Sequence, residues 1–396
     1  MTPRVLALAV EIATTLLTVA GMGYFISALL AARIYLSRRG NRDGTFAPGV
    51  SILKSLKGLD PGMTEAFRSH CRQTYAGQFE LLFGVSSLDD PAAAAVLEMQ
   101  REFPDKAIRL VECPIKLGTN GKVGTLAQLV PHAQHEFLLI NDSDITVGAH
   151  YLERVMASFA QDPAARPQDP KPVGLVTALY RGRAHDTLAS RFEALGIATD
   201  FQAGVLLSKM IEGDLSYGLG STLAVRREAL DRIGGFEALV NHLADDYELG
   251  VRIARADYRV VLSPEVVETG VPAYTWRGFR DHQLRWLRTV RDARPRGYTG
   301  LVFTHGLGWA ILNVVASGFS PLSLWLLGLS FFLRLTLAMT VGAAVLGDHS
   351  VLPNLWLLPL RDLVAMGLWA AGFAGNTVVW RGERFILEKG TLRKAD

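Results

Sequence analysis

The sequence predicts an α/β domain, a mainly parallel sheet flanked by helices, set between membrane helices at the two ends of the chain. Three observations lead there. Apolar residues concentrate near both termini, strand-like and helix-like segments alternate through the middle, and acidic pairs stand where apolar strands end. Hydrophobic residues make up 49% of the 396 residues and charged residues only 20%, a balance that points to a membrane protein. The formal net charge of +3 is too small to suggest nucleic acid as a partner.

The run from Val5 to Leu36 is nearly continuous in apolar residues, broken by Glu11 and Arg33. A spanning helix needs ~20 such residues, so this run suffices. It exceeds the ~7–15 apolar residues of a cleaved signal peptide and lacks a small-residue cleavage site. Arg33, Arg38, Arg39 and Arg42 follow it and belong in the cytoplasm, which leaves the N-terminus outside. Residues 1–40 therefore read as a transmembrane helix with a basic flank.

Residues 48–272 read as a cytoplasmic α/β domain. "GVSILKSL" is a buried strand, "MTEAFRSHCRQ" an amphipathic helix, and "FELLFGV" a second strand. Asp89-Asp90-Pro91 makes a turn and helix N-cap for "AAAAVLEMQREF". "AIRLVEC" and "EFLLIND" are further strands, with "GKVGTLAQLVPHA" as the helix between them. In such sheets ligands bind at the C-terminal ends of the strands. "QDPAARPQDPKP" is a proline-rich surface loop. Arg191 to Gly213 is amphipathic but too short to span, and either packs on the sheet or lies against the bilayer. Cys71 and Cys113 have neither metal-like nor redox-like spacing and read as reduced thiols.

Residues 273–297 carry seven arginines and two tryptophans, a basic amphipathic helix at the membrane surface. Residues 298–380 hold three apolar segments, Tyr298–Phe319, Leu322–Leu346 and Leu355–Trp380. The basic tail 381–396 belongs in the cytoplasm, so one of the three must be re-entrant or interfacial.

Several motifs carry chemistry. Asp142 and Asp144 close the strand "FLLI"; the pair fits a solvated turn and equally a Mg²⁺ or Mn²⁺ site that bridges to a diphosphate. Asp245-Asp246 precede an amphipathic helix, where acidic residues cap, yet a carboxylate at a cleft can also serve as a general base. Gly218, Gly220, Ser221 and Thr222 form a close-approach turn. Lys122 lies in a βα loop that lacks the spacing of a Walker motif. Arg285 offers a planar fork suited to phosphate oxygens.

In order, "SILKSLKGLDPG", "TNGKVGTL", "NDSDI", "GSTLAVRREALDRIGGF", "LADDYELG" and "HQLRW" resemble the ceramide glucosyltransferases, glycosyltransferase family 21 of the GT-A superfamily. The likeness covers nearly the whole chain, and the bacterial hopanoid-pathway glycosyltransferases share the arrangement. It implies a GT-A nucleotide-diphospho-sugar transferase domain in a multi-pass membrane protein with a divalent metal cofactor. It further implies inverting transfer of glucose from UDP-glucose to the primary hydroxyl of ceramide or a similar lipid. The alternatives are N-acetylglucosaminyl transfer from UDP-N-acetylglucosamine to a hopanoid or other polyprenoid, and a non-catalytic membrane scaffold.

By the same resemblance Asp142 and Asp144 hold the metal, Asp246 is the general base, and Lys122, Arg285 and Trp286 bind the donor. Two positions depart from the family. Its first acidic residue, beside the uracil, falls on Ser87, so Asp89 or Asp90 must substitute. The first position of its (Q/R)xxRW motif is His282. Animal ceramide glucosyltransferases carry Asp-Ser-Gly where this chain has Asp142-Ser143-Asp144, which makes Asp142 the safer ligand.

Overall fold

The structure is a computed structural model that describes residues 2–39, 46–60, 62–160, 171–380 and 383–394. Arg42, most of the proline-rich loop and parts of the basic tail lie outside the described residues.

The helices are α1 (Pro3–Arg38), α2 (Met63–Cys71), α3 (Pro91–Glu102), α4 (Gly121–Leu129), α5 (Tyr151–Ala157), α6 (Leu188–Gly196), α7 (Gln202–Glu212), α8 (Arg227–Arg232), α9 (Asp245–Arg255), α10 (Trp276–Ala293), α11 (Pro295–Gly300), α12 (Gly306–Ala316), α13 (Pro321–Ala338) and α14 (Leu358–Gly372). The strands of the large sheet are β1 (Val50–Ser55), β2 (Phe79–Val85), β3 (Ala107–Glu112), β4 (Phe137–Ile140), β5 (Val173–Arg183), β6 (Leu223–Arg226) and β7 (Arg259–Gly270). Their spatial order is β3-β2-β1-β4-β6-β5-β7. Neighbours run parallel except β6, which is antiparallel to both β4 and β5.

Local chemistry accounts for these elements. The centre of β1 is buried on both faces, as its near-continuous apolar run requires. Asp90 caps α3 by accepting from the Ala92 N–H, and Pro91 supplies the first helical position. Asn120 caps α4 in the same way through the Val123 N–H. The sequence reading had not named β5 and β6. β6 has four residues and follows a Gly-Ser-Thr turn, too little for its own periodicity to register.

Among the described residues, three helical runs are long and apolar enough to cross a membrane: Pro3–Arg38, Pro321–Val345 and His349–Gly372. A fourth run, Pro295–Thr304 with Gly306–Ala316, is bent by 59°. α12 packs along α1, where Gly21 and Gly306 meet so closely that a Cβ on either would strike the other's backbone. The Thr14 and Thr15 hydroxyls both donate to Asn313 Oδ1, each at 3.0 Å. Far along α1, Arg39 donates to the Val345 carbonyl (2.7 Å), so the run Pro321–Val345 ends beside the catalytic domain. Both ends of His349–Gly372 touch that side as well. His349 and Trp356 line a cavity with Arg181 and Arg183 of β5, and Arg291 of α10 donates to the Gly372 carbonyl (2.6 Å).

The third apolar segment, expected to run to Trp380, stops as a helix at Gly372. Thr377–Trp380 is instead β8, which joins β9 (Glu383–Glu388) and β10 (Thr391–Lys394) in a small antiparallel sheet. Val378, Phe385, Leu387 and Leu392 form its core. The Leu392 N–H donates to the Asn241 carbonyl (2.8 Å), so the tail docks just ahead of Asp245.

The amphipathic stretch Arg191 to Gly213 does two jobs. It becomes α6, a π-helical turn Ile197–Phe201, and α7. Gln202 ties it to the sheet through the Tyr180 carbonyl (2.9 Å), while Thr199 and Asp200 face Arg334 and Arg361 of the membrane helices.

Candidate active site

The ends of β1 and β4, the turn before β6 and the start of α9 converge on one cleft. Behind it, Asn141 is buried and donates to the Tyr151 hydroxyl (2.9 Å) and the Ser221 carbonyl (2.7 Å). That pins the first residue after β4, so Asp142 points outward with its side chain 45% exposed. Lys122, at the start of α4, places Nζ 2.7 Å from Asp142 Oδ1 and 3.4 Å from Asp245 Oδ2. Burial opposes the charge of this ammonium, yet Asp142 and Asp245 outweigh it and raise Lys122 above the ordinary lysine range.

Asp246 is fixed by two backbone donors, Gly220 N–H to Oδ2 and Tyr247 N–H to Oδ1, both at 2.8 Å. A Cβ at Gly220 would lie 3.0 Å from Asp246 Oδ2 and 3.7 Å from Asp142 Oδ2, so this turn sits close to both carboxylates. Burial, then the neighbouring Asp245, lift the Asp246 carboxyl to about 6, with Lys122 pulling the other way.

Asp144 turns toward β7, where the Thr269 hydroxyl (2.6 Å) and the Gly270 N–H (3.1 Å) both donate to Oδ2. Burial and the nearby Asp142 raise its carboxyl above the ordinary range. Between the two aspartates, Ser143 donates to Asp60 Oδ2 (2.7 Å).

Four residues of this neighbourhood were not anticipated. Lys54 is wholly buried in β1 and donates to the Asp142 carbonyl (3.2 Å). Burial pulls its ammonium down to about 7, against the pull of Asp144 and Asp142. Tyr180 of β5 lies within electrostatic reach of Asp246, Glu193, Asp142 and Asp144; burial and those charges raise its hydroxyl well above the usual value. Glu193 of α6 is buried, with His282 Nδ1 3.3 Å from Oε1 and the Gln283 amide donating to Oε2 (2.8 Å). Asp60 completes the set. A lysine inside the apolar run "VSILKSL" was the one legible signal among these.

The other expected residues occupy definite places. His282 stacks on Tyr274 and tilts against Trp286, whose ring also meets Phe201. Arg285 is half-buried on the same helix. Asp90 spends its carboxylate on Ala92 and on the Gly58 N–H, so it holds the β1–α2 loop as well as α3. Asp89 is exposed beside it. Cys71 and Cys113 are buried and unbridged.

Among the described residues no cluster of three or more His, Cys, Asp or Glu forms a ready-made metal set. The chemistry still fits a hard cation. Thr269 and Gly270 use only one oxygen of Asp144, and Asp142 opens to the cleft, which leaves carboxylate oxygens for an ion that a diphosphate would help to coordinate.

The description "Glycosyl transferase family 21" matches residues 13–393. The chain belongs to glycosyl transferase family 21. This family 21 protein is 23% identical over 398 residues to ceramide glucosyltransferase 3 of Caenorhabditis elegans, spanning 95% of this chain and 82% of that one. It is 25% identical over 227 residues to the beta-monoglucosyldiacylglycerol synthase of Trichormus variabilis, spanning 57% of this chain and 45% of that one. Among solved structures, the mannosyltransferase PcManGT from Pyrobaculum calidifontis in complex with GDP-Man and Mn2+ superposes with a TM-score of 0.52 at 20% identity, covering 92% of this chain and 99% of that one. That superposition shows the GT-A fold, and family membership shows the hexosyltransferase class expected from the sequence.

Proposed function

We propose that this family 21 enzyme moves glucose from UDP-glucose to the primary hydroxyl of ceramide or a similar two-chain membrane lipid, with inversion at the anomeric carbon. The observation that carries the reading is Asp246. Two backbone N–H groups aim its carboxylate, and it faces Asp142 across Gly220. A base opposite the diphosphate is what inversion requires, because the acceptor oxygen must attack from the face the leaving group vacates.

Asp246 takes the proton of the acceptor hydroxyl as that oxygen bonds to the anomeric carbon. Lys122 and Arg285 hold the diphosphate that departs with the bond electrons, and Trp286 lines the same wall. Asp142, with Asp144, would hold a divalent Mg²⁺ or Mn²⁺ ion, which supplies charge neutralisation for the departing diphosphate. Lys54 keeps the Asp142 backbone in register from behind. Asp89 is the better candidate for the uracil contact, since Asp90 is committed to its cap.

Ceramide and diacylglycerol, the acceptors in two relatives' names, share a primary hydroxyl on a two-chain lipid. The membrane helices support such an acceptor, delivered sideways to a cytoplasmic catalytic domain. In this reading α1, the bent run Pro295–Ala316 and Pro321–Val345 cross the bilayer, while His349–Gly372 lies along its surface. That arrangement returns the tail to the catalytic side, where β10 meets Asn241.

The test is direct. The full chain in lipid nanodiscs receives ceramide or diacylglycerol with UDP-glucose and UDP-N-acetylglucosamine in competition, and products are read by mass spectrometry. Glucosylated lipid is the expected product. N-acetylglucosaminyl product alone would overturn the donor, and no lipid product with any donor would overturn the reading.

A further inference from the structure

The arginine run Trp276–Gly297 is only partly used by the fold and the cleft. Arg277 and Arg280 face Asp281. Arg288 and Arg291 donate to carbonyls of Thr377, Ala374, Gly372 and Gly375, which caps the end of α14 and the turn after it. Arg294 and Arg296 make no ion pair or side-chain hydrogen bond among the described residues, and neither does Arg255 at the end of α9. These three arginines, all exposed, line one open surface cavity of about 700 Å³.

The cavity lies between α9 and the corner where α10 gives way to α11. Tyr247, Val251, Ala254 and Arg255 form one helical face of its wall, at the spacing that stacks side chains along a helix. Arg294 and Arg296 come from the corner itself. No carboxylate lines it. Two acids stand just behind the lining: Glu212 accepts from Ser208 and from the lining Ser216, and Glu248, beside Tyr247, pairs with Arg252. At this corner the chain leaves the basic interfacial helix and begins, at Pro295, the bent membrane run.

We propose that this cavity binds the phosphate of an anionic membrane phospholipid. Three arginine forks without an acidic partner supply positive charge and planar donors matched to phosphate oxygens. Val251, Ala254 and Pro295 supply an apolar floor for the start of the acyl region. The position at the membrane surface makes a lipid the occupant, since basic pockets beside membrane helices collect anionic headgroups. The site is separate from the cleft, although Tyr247 joins them: its ring lines the cavity and its N–H holds Asp246. Binding here does not rest on the sugar-transfer reading.

The full chain in neutral detergent is titrated with fluorescent phosphatidylglycerol and, separately, phosphatidylcholine. Phosphatidylglycerol should bind at least about tenfold more tightly, and the Arg255→Gln/Arg294→Gln/Arg296→Gln variant should lose about tenfold or more of that affinity. Ala254→Phe, which narrows the cavity and keeps every charge, should weaken binding too. Arg277→Gln/Arg280→Gln, at the far end of α10, should leave it unchanged. Equal binding of the two lipids, a triple variant that binds as the parent does, or an equal loss in the Arg277/Arg280 variant would overturn the proposal. So would displacement of the lipid by inorganic phosphate at matching concentration, which would mark a site for free anions.

Discussion

Two charged clusters of this molecule, one buried and one open to the cleft, are built on opposite principles. In the first, between the catalytic domain and the membrane helices, Arg334 grips Asp362 with two bonds of 2.7 and 3.0 Å and donates to the Thr199 carbonyl. Beside it Arg361 pairs with Asp200 at 2.7 Å. Two cations meet two anions, and the sum is neutral. The second cluster, at the strand ends, sets Asp142, Asp144, Asp245 and Asp246 against only Lys54 and Lys122. A balanced cluster joins parts; an unbalanced one holds excess negative charge, which fits the cation and the base proposed for it.

The largest way to test that contrast is Asp246→Asn. Loss of the base should lower kcat by about 10²–10⁴ while UDP-sugar affinity stays within a few-fold. Near-parental turnover would remove Asp246 from the role. The same change removes the buried charge of Asp246 but leaves one of its two backbone N–H donors without an oxygen acceptor, so stability at pH 8 in thermal unfolding should change by no more than about 1–2 kcal/mol. The Asp246 carboxyl is raised to about 6 by burial and Asp245, so the folded state loses stability as pH climbs through that range and the group ionises. In the parent enzyme the sign reverses for activity, and kcat should fall as pH drops through about 6.

Asp142→Ala comes next. It should abolish the response to added Mg²⁺ or Mn²⁺ together with most activity, and full activity with metal chelated would break the metal reading.

The balanced cluster should behave differently. Arg334→Met alone leaves the buried Asp362 carboxylate only its longer contact with Arg361 (3.5 Å) and should cost about 3 kcal/mol of stability. Arg334→Met with Asp362→Leu should recover most of that loss, read as the midpoint of thermal inactivation. A single variant as stable as the parent would show that the cluster joins nothing.

The smallest effect separates two adjacent aspartates. Asp90→Ala should cost about 0.5–2 kcal/mol through the lost cap of α3. Asp89→Ala should change stability by less than about 0.5 kcal/mol and be felt, if the uracil assignment holds, in KM for the donor.

Sequence by itself determined the class of the fold, because strand and helix periodicities are local properties of the chain. It located Asp142, Lys122 and Asp246 within motifs, and it marked the apolar runs, since hydropathy needs no partner to be read. It also required that one C-terminal segment not cross, from charge at the two ends alone. In the proposed arrangement that segment is His349–Gly372, which passes the test of length and composition but has one end against β5 and the other held by Arg291 of α10. Glu193 and Tyr180 were illegible as site residues for the same reason: each lies in an element of ordinary pattern, and only packing brings it toward the acids at the ends of β4 and α9. The tail, too, read as a basic extension until β8 supplied the edge on which β9 and β10 could pair. Charge type and periodicity are written along the chain; charge balance exists only where the chain has folded back on itself.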